Sequence, residues 1–174
     1  MSADCAIRRG MPDDFLGVVR LFDAALLETD GDRLRTFLSE TTHDGFVLLA
    51  TISNRPVGAI AVRTAATPGR DVAVDHNLAV VDADRDSAVV DADSEPVAHI
   101  TALAVRPTRR DRGIGRALVS AAADRVAPRP LSATFDERIR PFYAACGFET
   151  ESRDGRLWGI HRVDNEESGR SRQR

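Results

Sequence analysis

At 174 residues, with 43% hydrophobic and 29% charged side chains, the chain has room for one well-buried core and the balance of an ordinary globular domain. No apolar run approaches the roughly 20 residues of a membrane span, and the start, M-S-A-D-C-A-I-R-R, lacks a secretory apolar stretch, so a cytoplasmic setting without a membrane partner is expected. The formal net charge of −3 excludes attraction to nucleic acid by overall charge, although all 24 basic residues are arginine.

Arginine without lysine, and aspartate in excess of glutamate, fit either GC-rich coding or adaptation to high salt. Cys5 and Cys146 stand far apart in no metal-like spacing and are expected as reduced, partly buried thiols. Along the chain, Ala6 to Arg9 predicts a short strand closed by Gly10. Pro12-Asp13-Asp14 then predicts a helix start, with proline in the first turn and acids at the positive helix end. Phe15, Val18, Val19, Phe22 and Leu26 recur at helical spacing through about Leu27. Residues 32 to 40 predict a second short helix through Leu34, Phe37 and Leu38. Phe46 to Ile52 and Val57 to Arg63 predict a hairpin turning at Asn54-Arg55-Pro56. Between Thr64 and Glu95 the pattern weakens, with strand pieces at 72–81 and 87–90 among many acids.

Val97 to Val105 predicts a strand ended by Arg106-Pro107. Gly113 to Val126 predicts a helix ended by Pro128. Leu131 to Phe135 predicts a strand, and Arg138 to Cys146 a short helix stopped by Gly147. Phe148 to Ser152 and Arg156 to Val163 bracket Asp154-Gly155, a strong hairpin turn. The expected fold class is mixed α/β in a single domain over residues 1–163. It has an acidic insertion or hairpin at 64–96 and a disordered polar tail at 164–174. The unit from Val97 to Phe135 is expected to be parallel with a right-handed crossover.

The stretch R-R-D-R-G-I-G-R-A at 109–117 concentrates positive charge around two glycines in front of a helix. That combination suits a phosphate. Backbone N–H groups and the helix dipole converge there, and glycine lets the ligand approach. A lysine-dependent P-loop is excluded, because the chain holds no lysine. A dinucleotide fingerprint lacks its third glycine, since Arg116-Ala117-Leu118 follows Gly115, and the loop from Val105 to Gly113 is too long.

A strand ending in V-R-P, then Arg110-x-x-Gly113-x-Gly115 and a helix, resembles the acetyl-coenzyme A signature of the GNAT N-acetyltransferases, Q/R-x-x-G-x-G/A. Ile7-Arg8-Arg9 with Pro12-Asp13-Asp14 resembles the way that family begins. Pro141 to Phe148 (P-F-Y-A-A-C-G-F) resembles its F-Y-x-x-x-G-F element. The resemblance covers roughly Ala6 to Val163. It implies a central mixed sheet of about six to seven strands flanked by about four helices, and acyl transfer from acetyl-CoA to an amine. Where the family often has asparagine, six residues before the Phe of F-Y, this chain has Asp136.

The resemblance further implies a bulged strand splaying from its parallel neighbour, with the pantetheine arm pairing to Leu103, Ala104 and Val105. The Leu103 amide would then be the oxyanion donor. Arg110, Asp111, Arg112, Gly113, Ile114, Gly115 and Arg116 would hold the phosphates, and Asp136 would lie near the pantetheine. Tyr143 is implied as the general acid. His99 stands where the family often has a glutamate base, and imidazole is a competent base near neutral pH. In regular alternation His99 and Thr101 share one strand face, with Ile100 and Ala102 on the other. His43, His76 and His161 are expected at the surface. Asp82-Ala83-Asp84-Arg85-Asp86 lacks the Gly and Glu of a calcium loop, having Ser87 and Asp93 at those positions, so no metal is expected; a solvated loop or a rim attracting a cationic amine are the readings left. The acceptor is expected to be a small-molecule or protein amine, and a homodimer remains an option. The rival reading is a non-catalytic acyl-CoA-binding or regulatory module on the same fold.

Overall fold

The computed structural model describes residues 5–39, 41–64, 97–153 and 156–162. The strands are β1 (Ala6–Arg9), β2 (Gly45–Ile52), β3 (Arg55–Arg63), β4 (Ala98–Val105), β5 (Leu131–Phe135), β6 (Glu149–Arg153) and β7 (Arg156–His161). The helices are α1 (Phe15–Ala24), α2 (Gly31–Leu38), α3 (Ile114–Val126) and α4 (Arg140–Ala145). The strands form one seven-stranded sheet in the order β1-β2-β3-β4-β5-β7-β6. Only β4 and β5 run parallel, and α3 crosses between them. This is the mixed α/β architecture expected from the order of elements.

The sheet separates two cores. On one face Ile60, Val62, Ile100, Leu131 and Ala133 meet Ile114, Leu118 and Val119 of α3 and Tyr143 of α4. On the other, Val47, Leu49, Ala59, Ala61, Ala102 and Ala104 meet Val18 and Phe22 of α1 and Leu34 and Phe37 of α2. A fully buried aliphatic or aromatic side chain of this kind stabilises by about 1.5–3 kcal/mol.

Three local departures from the sequence pattern have physical causes. The β2–β3 turn sits at Ser53-Asn54, both left-handed at φ 49° and 61°, which is the geometry of a two-residue hairpin. Arg55 and Pro56 therefore belong to β3, and Pro56 is tolerated beside a register shift, where its missing N–H interrupts little. On β4, Ala61 faces Ala102 but Val62 faces Ile100, so Thr101 is an extra residue. That bulge puts Ile100 and Ala102 in opposite cores, which corrects the regular alternation expected for 99–102. Lastly, α1 ends at Ala24, short of the expected Leu27. Leu27 N–H bonds the Phe22 carbonyl and Leu26 N–H the Asp23 carbonyl, each at 3.0 Å, closing the helix with Leu26 in the left-handed region at φ 56°.

The bounds of the remaining elements agree with expectation within a few residues, except that 137–139 forms a 3₁₀ turn before α4. The strand pieces expected within 72–90, the Asp154-Gly155 turn and the tail at 164–174 lie outside the described residues.

Candidate active site

Strand β4 has two different edges. Toward β3 it pairs along its length, from His99 opposite Arg63 to Val105 opposite Gly58. Toward β5 the ladder ends at Ile100 opposite Ala133, although both strands continue. Backbone groups of Thr101 to Val105 on that side therefore have no β5 partner, and buried backbone groups demand one. A cavity of about 830 Å³ opens at the gap. It touches both faces of the sheet. Ile114, Phe142 and Tyr143 line it on the α3 side, and Ala25 and Leu27 line it where α1 ends.

The loop after β4 is anchored by Arg106, whose N–H bonds the Val57 carbonyl at 2.8 Å and whose Nε bonds the Pro56 carbonyl at 3.0 Å. Asp111 and Gly113 then adopt left-handed backbone, φ 60° and 76°. Ala117 N–H makes the first bond of α3, to the Gly113 carbonyl at 2.9 Å. The N–H groups of Ile114, Gly115 and Arg116 precede it and lack intrahelical acceptors, so they form an anion-binding end on a 13-residue helix. A Cβ on Gly113 would meet nothing within 4 Å, so backbone conformation, not crowding within the protein, calls for glycine there. Gly115 differs. A Cβ there would come within 3.1 Å of Phe142 Cε2, so this glycine lets α3 lie against α4.

Of the residues singled out from sequence, Leu103, Ala104, Val105, Arg110, Asp111, Gly113, Ile114, Gly115, Arg116, Asp136 and Tyr143 all line this one cavity. Arg112 is exposed and does not line it, and neither does His99. Arg110 turns back on the strand, its Nε donating to the Val105 carbonyl at 3.3 Å. Sequence reasoning missed Ala25, Leu27, Thr134, Ile139 and Arg156 as wall residues. None carries a motif, and their meeting depends on where α1 stops and β7 begins.

Tyr143 is buried among aromatic rings. It stacks on Phe135 at 4.2 Å and meets Phe142 and Phe148 edge-on. Burial, with the neighbouring Cys146 adding to it, pushes its hydroxyl above the usual phenol range, so it remains protonated at neutral pH. Burial also raises the Cys146 thiol, with Arg116 partly offsetting it. Cys5 is exposed rather than partly buried.

His99 sits where the β4–β5 ladder is still closed. The Ser132 hydroxyl donates to the Ala98 carbonyl at 3.0 Å. It has no second hydrogen to give, so the His99 Nδ1, 2.9 Å away, must be the donor to Ser132 Oγ. The ring is neutral with a proton on Nδ1, and it stacks on Trp158 at 5.4 Å and 18°. Burial, then the charge of Arg63, lowers its pKa to about 4. His161 is half-buried rather than at the surface, packed on Phe148 with Nδ1 lacking a hydrogen bond. His43 is exposed, and His76 and the acidic stretch at 82–86 lie outside the described residues. Among the described residues no helix is long and apolar enough to cross a membrane.

Residues 15–148 match the model of the Acetyltransferase (GNAT) family. No curated protein matches the chain. Solved structures of similar fold include Arabidopsis thaliana NAA60 in complex with acetyl-CoA, at 12% identity and TM-score 0.66, covering 91% of this chain and 98% of that one. PaiA N-acetyltransferase from Thermoplasma acidophilum in complex with coenzyme A is 13% identical, with TM-score 0.64 and coverage of 92% and 99%. An acetyltransferase from Thermus thermophilus is 16% identical, with TM-score 0.61 and coverage of 94% and 100%. At these identities the structural likeness speaks for the fold alone.

Proposed function

This chain belongs to the acetyltransferase (GNAT) family, and from that premise we propose that it moves an acyl group, chiefly acetyl, from acyl-CoA to a primary amine by direct attack within a ternary complex. The observation that carries the reading is the ladder that stops at Ile100 and Ala133 and leaves the rest of β4 open to the cavity that the glycine loop also lines. An extended amide-bearing arm fits such a gap as an added strand, and a pyrophosphate fits the α3 end beyond it. Two of the similar structures hold acetyl-CoA or coenzyme A.

In this reading the coenzyme's phosphates rest on the N–H groups of Ile114, Gly115 and Arg116, with Arg109, Arg110 and Arg116 around them and Asp136 beside the arm. Leu103, Ala104 and Val105 pair with the arm. The acceptor enters from the α1 side, and its uncharged nitrogen attacks the thioester carbonyl. The Leu103 amide stabilises the oxyanion, a contribution of about 3 kcal/mol for one good donor. As the C–S bond breaks, Tyr143, protonated and placed in the cavity wall, donates its proton to the departing thiolate.

The ammonium must lose a proton first. His99 is neutral, but a pKa of about 4 makes it a weak base. Its ring is held against Ser132 and Trp158, and it stands off the cavity wall. These observations favour a second reading of His99, as the clasp that holds β4 to β5 below the gap. The proton then leaves through water. A mass-spectrometric screen of acetyl-CoA with a panel of primary amines tests the function. Acetylation of at least one amine, lost in Tyr143→Phe, is expected. Tight acetyl-CoA binding with no amine acetylated would favour the acyl-CoA-binding module instead.

A further inference from the structure

Thr101 is the extra residue of the β4 bulge and faces no residue of β3. It is also the one exposed residue of a strand otherwise buried or half-buried. Bulges re-aim side chains beside functional sites, and this one leaves a hydroxyl-bearing residue open in the central strand of the sheet. Thr101 lines the cavity and is the first residue of β4 past the last rung to β5; Thr134, the first past it on β5, lines the cavity too. The Thr101 hydroxyl donates its single hydrogen to the Ala61 carbonyl at 3.2 Å. Toward any other partner its oxygen can therefore only accept. In the acyltransferase reading the coenzyme arm runs along β4 from the phosphates beyond Val105 to the thioester at Leu103. Thr101 lies further along the same strand, at the acyl end of the arm, where the amine arrives.

We propose that Thr101 is a specificity-determining residue: its hydroxyl oxygen accepts an N–H of the incoming amine, and this contact selects primary over secondary amines. The inference rests on the acyltransferase reading and deepens it at that same site. A neutral primary amine carries two N–H hydrogens. As the C–N bond forms and the C–S bond breaks, one of them leaves to water as a proton, and the thiolate takes the proton of Tyr143. The other stays on nitrogen in the product amide, so its bond to Thr101 holds from encounter to product. A secondary amine has a single N–H, which cannot serve both Thr101 and the water that removes the proton. A hydroxyl already tied to the backbone through Ala61 is preorganised, and it aims the nitrogen lone pair at the thioester carbon.

The test compares acetyl transfer to n-butylamine and to N-methylbutylamine by the wild-type protein, Thr101→Val and Thr101→Ser. Wild type should prefer n-butylamine by at least about tenfold in kcat/KM. Thr101→Val keeps the shape of the side chain and removes the hydroxyl. It should lower kcat/KM for n-butylamine about tenfold and change that for N-methylbutylamine less than about twofold, so that the preference collapses. KM for acetyl-CoA should hold. Thr101→Ser retains the hydroxyl and should retain the preference. A hydroxyl that only pins the bulge predicts something else: its loss would displace the Leu103 amide and slow both amines alike. That uniform loss overturns the assignment, as does an undiminished preference in Thr101→Val or a lost one in Thr101→Ser. Should Thr101→Val fail to fold, Thr101→Ala removes the same hydroxyl and is read in the same way. Each of these results leaves the acyltransferase function standing. Transfer to neither amine by wild type also overturns the assignment, and the wider amine panel then decides the function separately.

Discussion

The two edges of β4 are built from one strand yet behave oppositely. Toward β3 the ladder continues past a one-residue bulge to Val105. Toward β5 it ends after Ile100 and leaves the rest of the strand to the cavity. Below the gap the strands are fastened by the chain of contacts from His99 to Ser132 to the Ala98 carbonyl. Above it the glycine loop and α4 replace β5 as the wall. A sheet that leaves hydrogen-bonding groups unused in its middle must have another partner for them. The comparison teaches that the site is an interruption of secondary structure rather than an addition to it.

The largest effect should come from filling the upper end of the gap. Gly113→Glu places a carboxylate at the anion-binding end of α3 and forces a side chain into φ 76°. Acetyl-CoA affinity by calorimetry should fall by roughly a hundredfold or more, with far-ultraviolet circular dichroism retained. Unchanged affinity would remove the loop from the site. Gly115→Glu is the poorer probe, because its Cβ collides with Phe142 and disturbs the packing of α4.

Next comes the chemistry inside the gap. Tyr143→Phe keeps the ring stacked on Phe135 and deletes only the hydroxyl. Turnover should fall about a hundredfold, within the usual range for a proton-transferring group, while coenzyme affinity holds. Equal turnover, with chemistry shown to limit the rate, would leave Tyr143 as a packing residue.

The closed part of the β4–β5 ladder gives a smaller effect of another kind. The His99 pKa is lowered in the fold to about 4 from its ordinary 6.5. The unfolded chain thus binds the extra proton first as pH falls. The contribution of the neutral ring to stability is fully present above about pH 6.5 and is lost as pH drops toward 4. In urea melts, His99→Gln should be less stable than wild type at pH 7 and should lack this part of the acid slope. At saturating acceptor, kcat should stay within about threefold of wild type, with the same profile between pH 6 and 8. A kcat loss accompanied by disappearance of an acid limb would restore His99 as the base.

The smallest effect should be that of Arg112→Ala. Arg112 is exposed and off the cavity wall, so KM for acetyl-CoA should change less than about twofold, whereas Arg110→Ala should raise it several-fold. Equal effects of the two substitutions would mean that the loop acts only as a diffuse positive patch.

The parts of this architecture legible in the sequence are those with a local cause. Gly113 and its arginines announce the loop because backbone conformation and charge are read residue by residue. The β4 and α3 segments show in their periodicity. The family resemblance implied a bulge in β4, but its position at Thr101 was not legible, since one extra residue in an apolar strand leaves no compositional mark, and it reverses which face Ala102 occupies. Arg156 and Leu27 were invisible as wall residues because they converge from β7 and the end of α1, far apart in the chain. The environment of His99 was equally hidden. Its partners Ser132 and Trp158 come from two other strands, and together with burial they turn an expected base into a neutral clasp.

The central claim is that the unpaired edge of β4 receives the coenzyme. Amide hydrogen exchange with and without saturating acetyl-CoA tests it most directly. Peptides spanning Leu103–Val105 and Gly113–Arg116 should gain protection, while the fully paired stretch Ala59–Ala61 of β3 should not change. Binding of acetyl-CoA that leaves Leu103–Val105 exchanging at its original rate would contradict the account.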